Sequence, residues 1–167
     1  AKKILYKLWS AEPHPMFIEE IENISQKENT KISFLIKKLI KNNPHHYESR
    51  IFNAKAFIDE KNWEEAKKTI QDLLSSRPSK TICELMAEIE KGITGNEQKA
   101  NSWKNRSKLG DLEKTWVCQH TGNTQNIWSS ISQEGFFDSL EWTWPDTNYV
   151  KNSKKTGIFI PNIIGTI

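Results

Sequence analysis

Residues 44–78 read PHHYESRIFNAKAFIDEKNWEEAKKTIQDLLSSRP. Pro44 and Pro78 stand 78 − 44 = 34 residues apart, a spacing typical of repeats built from two antiparallel helices. Between them the pattern predicts helix A over about 46–60 and helix B over about 62–76. Ala54 and Ala66 are placed where two such helices approach most closely, so a bulky side chain at either would push them apart. Phe57, Trp63 and Ile70 would fill the groove between the helices. Pro78 stops helix B, because it lacks an N–H and clashes with the preceding turn. Asn62 can cap helix B, with Glu64 and Glu65 in the first turn, where the helix dipole favours acids.

This arrangement resembles a tetratricopeptide repeat. With Pro78 on the closing proline, the pattern's alanine falls twelve residues earlier on Ala66. Its small helix A position falls on Ala54, and the aromatic three residues later on Phe57. Arg50, at a site usually Trp, and Asn53, at a site usually Leu, depart from it. Adding 34 to Ala66 gives Ala100, and subtracting 34 gives Ile32, a looser match. The resemblance therefore implies repeats over about 13–46, 47–80 and 81–114, and three repeats are about the minimum for a stable stack. The expected fold is mainly α, a tetratricopeptide-type solenoid over 1–114 with a small β unit at 115–145 and a tail at 146–167.

The chain has 167 residues, with 24 basic and 21 acidic side chains and a net charge of +3, too mild to argue for nucleic acid. Its 36% hydrophobic content suits a thin, elongated array better than one deep core. Two cysteines, Cys83 and Cys118, make no disulfide framework. No run of 18 apolar residues spans a membrane.

Before the central repeat, Ile4, Leu5, Leu8 and Trp9 mark an amphipathic helix over 2–11. We read it as helix B of a preceding repeat, its outer apolar face left without a neighbour, in a chain that is the C-terminal piece of a longer protein. Pro13 and Pro15 then break the chain around a loop His14. A helix over 15–26 carries Met16, Phe17, Ile18, Ile21 and Ile24. Asn29 and Thr30 offer an N-cap for a helix over 31–42, whose Lys37, Lys38 and Lys41 form a basic face. That face is either solvated or meets an anionic partner. His45 and His46 are adjacent on a predicted helix and so do not face one another, and no third metal ligand is near. Further on, Thr81, Ile82, Leu85, Met86 and Ile89 give a third helix A over 80–92. Gly95 punctuates it, and 96–108 form a third helix B with Trp103 inward. Cys83 reads as a small buried residue.

After Gly110 the composition changes. Trp116-Val117-Cys118 and Leu140…Trp142…Trp144 alternate as short strands, with turns at Gly122 and Gly135. Such a unit is too small to hold itself by core burial alone. The run Leu85-Met86-Ala87-Glu88-Ile89-Glu90 with Gly95, Ala100 and Trp103, then Trp116-Val117-Cys118, Trp128-Ser129 and Phe137-Asp138-Ser139-Leu140-Glu141-Trp142, resembles the C-terminal part of HemY-type tetratricopeptide proteins of alphaproteobacteria. Trp9 and Pro13-His14-Pro15 fit the same resemblance. It implies a bacterial inner-membrane protein with its repeat array on the cytoplasmic side, anchored by segments that precede this chain. By name it is linked to haem or porphyrin metabolism, without an established catalytic activity.

Relatives of that kind often end in a rubredoxin-like or zinc-ribbon pair of knuckles. Cys118 matches the first ligand, but Thr121 and Ser132 stand at the second and third, and the fourth is deleted. One thiolate cannot hold zinc, which wants four ligands in a structural site. The expectation is a metal-free relic at Cys118, no cofactor, and tryptophans that replace the metal by packing on each other and on the last repeat helix. The tail, with Ile158, Phe159, Ile160, Ile163 and Ile164, is either disordered or a strand that pairs with the β unit or another chain.

No acid pair, triad, phosphate loop or metal quartet appears at usable spacing. The reading that follows is a non-catalytic scaffold for an unidentified protein partner. Helical spacing places Glu48, Ile51, Lys55, Ile58 and Asp59 on its concave face. The resemblance leaves two alternatives: a regulatory adaptor of envelope (lipopolysaccharide) assembly, or an accessory subunit of a haem-pathway enzyme. Haem ligation by His14, His45 or His46 has no supporting Cys-x-x-Cys-His motif.

Overall fold

The computed structural model describes residues 2–76, 78–108 and 113–145, the side chains of 75 and 76 excepted. It is mainly helical, with one small antiparallel sheet, and divides into two compact units, 1–111 and 112–167. The expectations for the 146–167 tail lie outside the described residues.

Seven helices make up the first unit as described: α1 (Lys2–Ala11), α2 (Phe17–Glu28), α3 (Ile32–Leu39), α4 (Tyr47–Asp59), α5 (Trp63–Ser76), α6 (Lys80–Thr94) and α7 (Glu97–Ser107). A single 3-10 turn, Ile40–Asn42, extends α3. The starts of α4 and α6 are 80 − 47 = 33 residues apart, and those of α5 and α7 are 97 − 63 = 34 apart. The earlier pair is shorter, with 47 − 17 = 30 and 63 − 32 = 31.

Two apolar clusters share α4. In the first, Leu5 and Trp9 of α1 pack with Ile21, Ile24, Leu35, Ile36 and Leu39, and with Phe52 and Ala56 of α4. The second gathers Ile51 and Ala54 of α4 with Ala66, Ile70 and Leu73 of α5 and Ile82, Leu85, Met86 and Ile89 of α6. At 100° per residue, Phe52 and Ala56 lie on roughly the opposite side of α4 from Ile51 and Ala54. A helix buried on two sides loses the single stripe by which a surface helix announces itself. Ala54 and Ala66 are both fully buried, as expected of the crossing between helices A and B.

The outer face of α1 leaves Ile4 and Leu8 exposed, while its inner face is buried. Trp9 is enclosed against Phe17 and Phe52, with ring centroids 6.2 and 5.4 Å away, and its indole N–H donates to Ser49 Oγ at 2.9 Å.

Polar side chains tie neighbouring helices. Arg50, where the repeat pattern prefers Trp, donates from Nε to the Thr69 carbonyl at 2.9 Å and from Nη2 to Asp72 at 3.2 Å. It thus bridges the same two helices that a tryptophan would wedge between. Lys67 reaches Glu90 at 2.6 Å, joining α5 to α6. The Tyr47 and Ser79 hydroxyls meet at 3.0 Å, joining the starts of α4 and α6.

The helix ends correct several expectations. Asn29 does not cap α3. It closes α2 in the left-handed conformation (φ 47°), with its N–H and that of Thr30 bonded to the Gln26 and Ser25 carbonyls, the two bonds of a Schellman close. Lys31 takes the cap of α3 without a side-chain hydrogen bond. Lys61 closes α4 in the same left-handed way (φ 57°). His45 and His46 precede α4 rather than lying in it, and His46 Nδ1 caps the helix by accepting from the Glu48 N–H at 3.2 Å. His14 Nδ1 accepts from the Met16 N–H at 3.1 Å in the same manner. Asn96 caps α7 through two N–H groups, and Gly95 closes α6 at φ 63°.

In the second unit β1 (Thr115–Cys118) is the central strand, flanked by β2 (Thr124–Gln125) and β3 (Leu140–Thr143), all antiparallel. Trp116 stands directly opposite Trp142, their rings edge to face at 5.4 Å, a pairing that contributes about 0.5–1.5 kcal/mol beyond burial. Strand β2 was not anticipated from sequence. It has only two residues, too few to show alternation.

Candidate functional site

Helix α4 carries the five residues that helical spacing assigned to a partner face, and the structure divides them. Ile51 is 4% exposed, within the cluster that α4 shares with α5 and α6, and Glu48 is 5% exposed. Neither offers surface to a partner, because both side chains are buried in the packed array. Ile58 is half-buried against the same cluster. Lys55 and Asp59 are exposed, and the Lys55 ammonium lies 5.4 Å from the centre of the Phe52 ring. The accessible remainder of the predicted face is therefore Lys55 and Asp59, one turn apart, with Ile58 beside them. A groove against α6 and α7 adds a second accessible surface, walled by Glu84, Ala87, Glu88, Lys91 and Lys104.

The basic face of α3 is partly neutralised from within. Lys37 binds Glu60 at 2.6 Å, 4.8 Å above the Phe57 ring, and this hydrogen bond holds the Glu60 carboxyl below its usual range. Lys38 lies over Phe34 at 4.2 Å. Cys83 is fully buried with its thiol 3.8 Å from the Pro78 carbonyl, a packing position.

Turns from both halves of the second unit meet around Cys118. After β1 the chain reverses through Cys118-Gln119-His120-Thr121-Gly122, with the Gly122 N–H bonded to the Cys118 carbonyl at 2.7 Å and Gly122 at φ 71°. A second turn, Ser132-Gln133-Glu134-Gly135, places the Gly135 N–H on the Ser132 carbonyl at 2.9 Å, with Gly135 at φ 89°. The positive φ explains glycine at both.

Hydrogen bonds link these turns. The Cys118 thiol donates to Ser139 Oγ at 3.5 Å, and Ser139 donates to the Phe136 carbonyl at 3.1 Å. Ser132 Oγ accepts from the Phe136 N–H. Buried Gln125 donates to the Ile127 carbonyl and to Ser129 Oγ, and accepts from the Gln133 N–H. The described residues contain no group of three or more His, Cys, Asp or Glu side chains that could hold a metal ion. Within this unit Trp116 and Trp142 pack on each other as expected, but Trp128 departs from the expectation, being 52% exposed.

Burial pushes the Cys118 thiol up, but its hydrogen bonding with the Ser139 and Thr121 side chains and with the His120 and Thr121 backbone outweighs it. Together they bring the thiol from 9.0 to about 6. A thiol whose folded pKa lies below its unfolded one stabilises the fold in full above the unfolded pKa and loses that contribution as pH falls through the folded one. Relative to Cys118→Ala, the native chain should therefore lose stability between pH 9.0 and about 6. Urea midpoints of the two proteins across that range measure it. A constant difference would show that the thiolate is not favoured by the fold.

No helix among the described residues is long and apolar enough to cross a membrane. Comparisons of the chain with family models, with curated proteins and with solved structures find no match in any of the three.

Proposed function

We propose that this chain is a non-catalytic protein-interaction scaffold, a tetratricopeptide-type array that meets its partner through the open helix A surface of the central repeat. The observation that carries the reading is the two-sided burial of α4 together with the 33- and 34-residue spacing of the helix pairs on its C-terminal side. The pairs from α4 onward bury apolar surface against the next pair along the chain, as in solenoid proteins, whose exposed helix faces serve as extended binding surfaces; α1 is the exception, since Trp9 reaches past α2 and α3 to Ser49 and Phe52 of α4. On the resemblance described above, the chain is the C-terminal part of a membrane-anchored HemY-type protein, its array on the cytoplasmic side of a bacterial inner membrane. The link to haem or porphyrin metabolism comes through its partner rather than through chemistry of its own.

The test places a photo-crosslinking residue at position 58 of the full parent protein in its native membrane and identifies captured proteins by mass spectrometry. A recurrent partner is expected, with capture reduced several-fold by Lys55→Glu combined with Asp59→Lys. The melting temperature should hold, since exposed substitutions usually change stability by no more than about 0.5 kcal/mol. Equal capture after charge reversal would remove this face as the functional surface.

A further inference from the structure

The segment 127–137 exposes Ile127 at 79%, Trp128, Ile131, Phe136 and Phe137 at 75%. Five large apolar side chains on eleven residues make a concentrated patch, of the kind that marks an interaction surface rather than the scattered exposure normal for soluble proteins.

The patch is also held in place. Ile131 and Phe137 face each other across an isolated antiparallel bridge. Backbone bonds run from the Ser132 N–H to the Phe136 carbonyl at 2.8 Å and from the Asp138 N–H to the Ser130 carbonyl at 2.8 Å. Gln125 anchors the loop at Ile127, Ser129 and Gln133, and Ser129 Oγ bonds the Ile131 carbonyl. Phe136 stacks on His120 at 4.6 Å. An apolar loop fixed in this way has already met much of the ordering cost of binding.

Charge indicates what covers it. From 115 to 145 the sequence has no lysine or arginine, although the chain carries 24. Its charged side chains there are Glu134, Asp138 and Glu141, all exposed, with His120 the one titratable nitrogen base.

We infer that this acid-rimmed apolar patch, on Ile127, Trp128, Ile131 and Phe137, docks an amphipathic segment of another protein whose apolar side chains are flanked by lysine or arginine. The apolar contacts supply affinity, and the rim selects basic partners and rejects acidic ones. This patch shares no residue with the Lys55 and Asp59 face, so either reading can fail without the other.

The test selects 15-residue peptides displayed on phage against the full chain, with counter-selection on the Trp128→Ser/Phe137→Ser variant. Both substituted side chains are exposed, and circular dichroism of the variant should match the native protein. Selected peptides should pair apolar residues with excess lysine or arginine. Their affinity should fall at least about tenfold in the double variant, as for truncation of two aromatic anchors. Asp138→Asn with Glu141→Gln should weaken binding several-fold and flatten its salt dependence; asparagine tolerates the left-handed backbone at 138 (φ 48°). No enrichment over counter-selection, enrichment of neutral or acidic peptides, or a patch already covered by a second copy that Phe137→Ser releases in sedimentation would each overturn the inference.

Discussion

Replacing Trp9 with alanine lowers stability by about 3–5 kcal/mol, the cost of emptying a large aromatic site from a packed core. Trp9 is fully buried between Phe17 and Phe52. It is also the donor to Ser49, 40 positions along the chain. The loss is large against a typical total of about 5–15 kcal/mol. Trp9→Phe separates the two contributions, because it keeps an aromatic ring and removes the indole N–H. It should cost about 1–3 kcal/mol, the penalty for a buried polar group deprived of its partner. Urea unfolding of both variants gives the numbers. A loss below about 1 kcal/mol for Trp9→Ala would mean that α1 is not part of the packed array.

Gly92→Ala should destabilise, against the rule for helix interiors. Alanine is the better helix former by about 1 kcal/mol, and at an open position the exchange would stabilise. At residue 92 an added Cβ would stand 2.2 Å from Trp63 Cδ2 and 2.4 Å from Cε2. These atoms are the body of the indole, so either the ring or α6 must move. Overpacking of this kind costs about 1–3 kcal/mol, and the melting temperature should drop accordingly. Shortening the neighbour restores room. In a double-mutant cycle with Trp63→Leu, the two losses should be strongly non-additive, with the second change partly rescuing the first. Additive losses would show that residue 92 does not approach Trp63 so closely.

Trp63 was expected in a groove between helices, but its contact with Gly92 was not foreseen. A glycine inside a helical pattern was the available signal, since such a residue usually has a packing reason. The helix pairs themselves were legible from Pro44, Pro78, Gly95 and the small residues Ala54, Ala66 and Ala100, because these encode local breaks and close approaches. Glu48 and Ile51 were misplaced for a different reason. Period alone tells which residues share a face of α4, not how many faces are covered, and α4 is covered on two. The caps at Asn29 and Lys61 turn on left-handed backbone at non-glycine residues, which propensity argues against. In the second unit, Cys118 and the turns at Gly122 and Gly135 could be read directly. The Gln125 and Ser139 hydrogen bonds that join them could not, since each depends on residues brought together only by the fold.

The claim on which the functional reading rests is that the helices are stabilised by two separate clusters along the array rather than by one shared core. Amide hydrogen exchange of native chain and Trp9→Phe, resolved by helix, tests it most directly. The account predicts faster exchange in α1, α2 and α3, a partial effect in α4, and unchanged protection in α6 and α7, which contribute to the second cluster and not to the first. Equal loss of protection across all seven helices would instead reveal one indivisible core and contradict the repeat array.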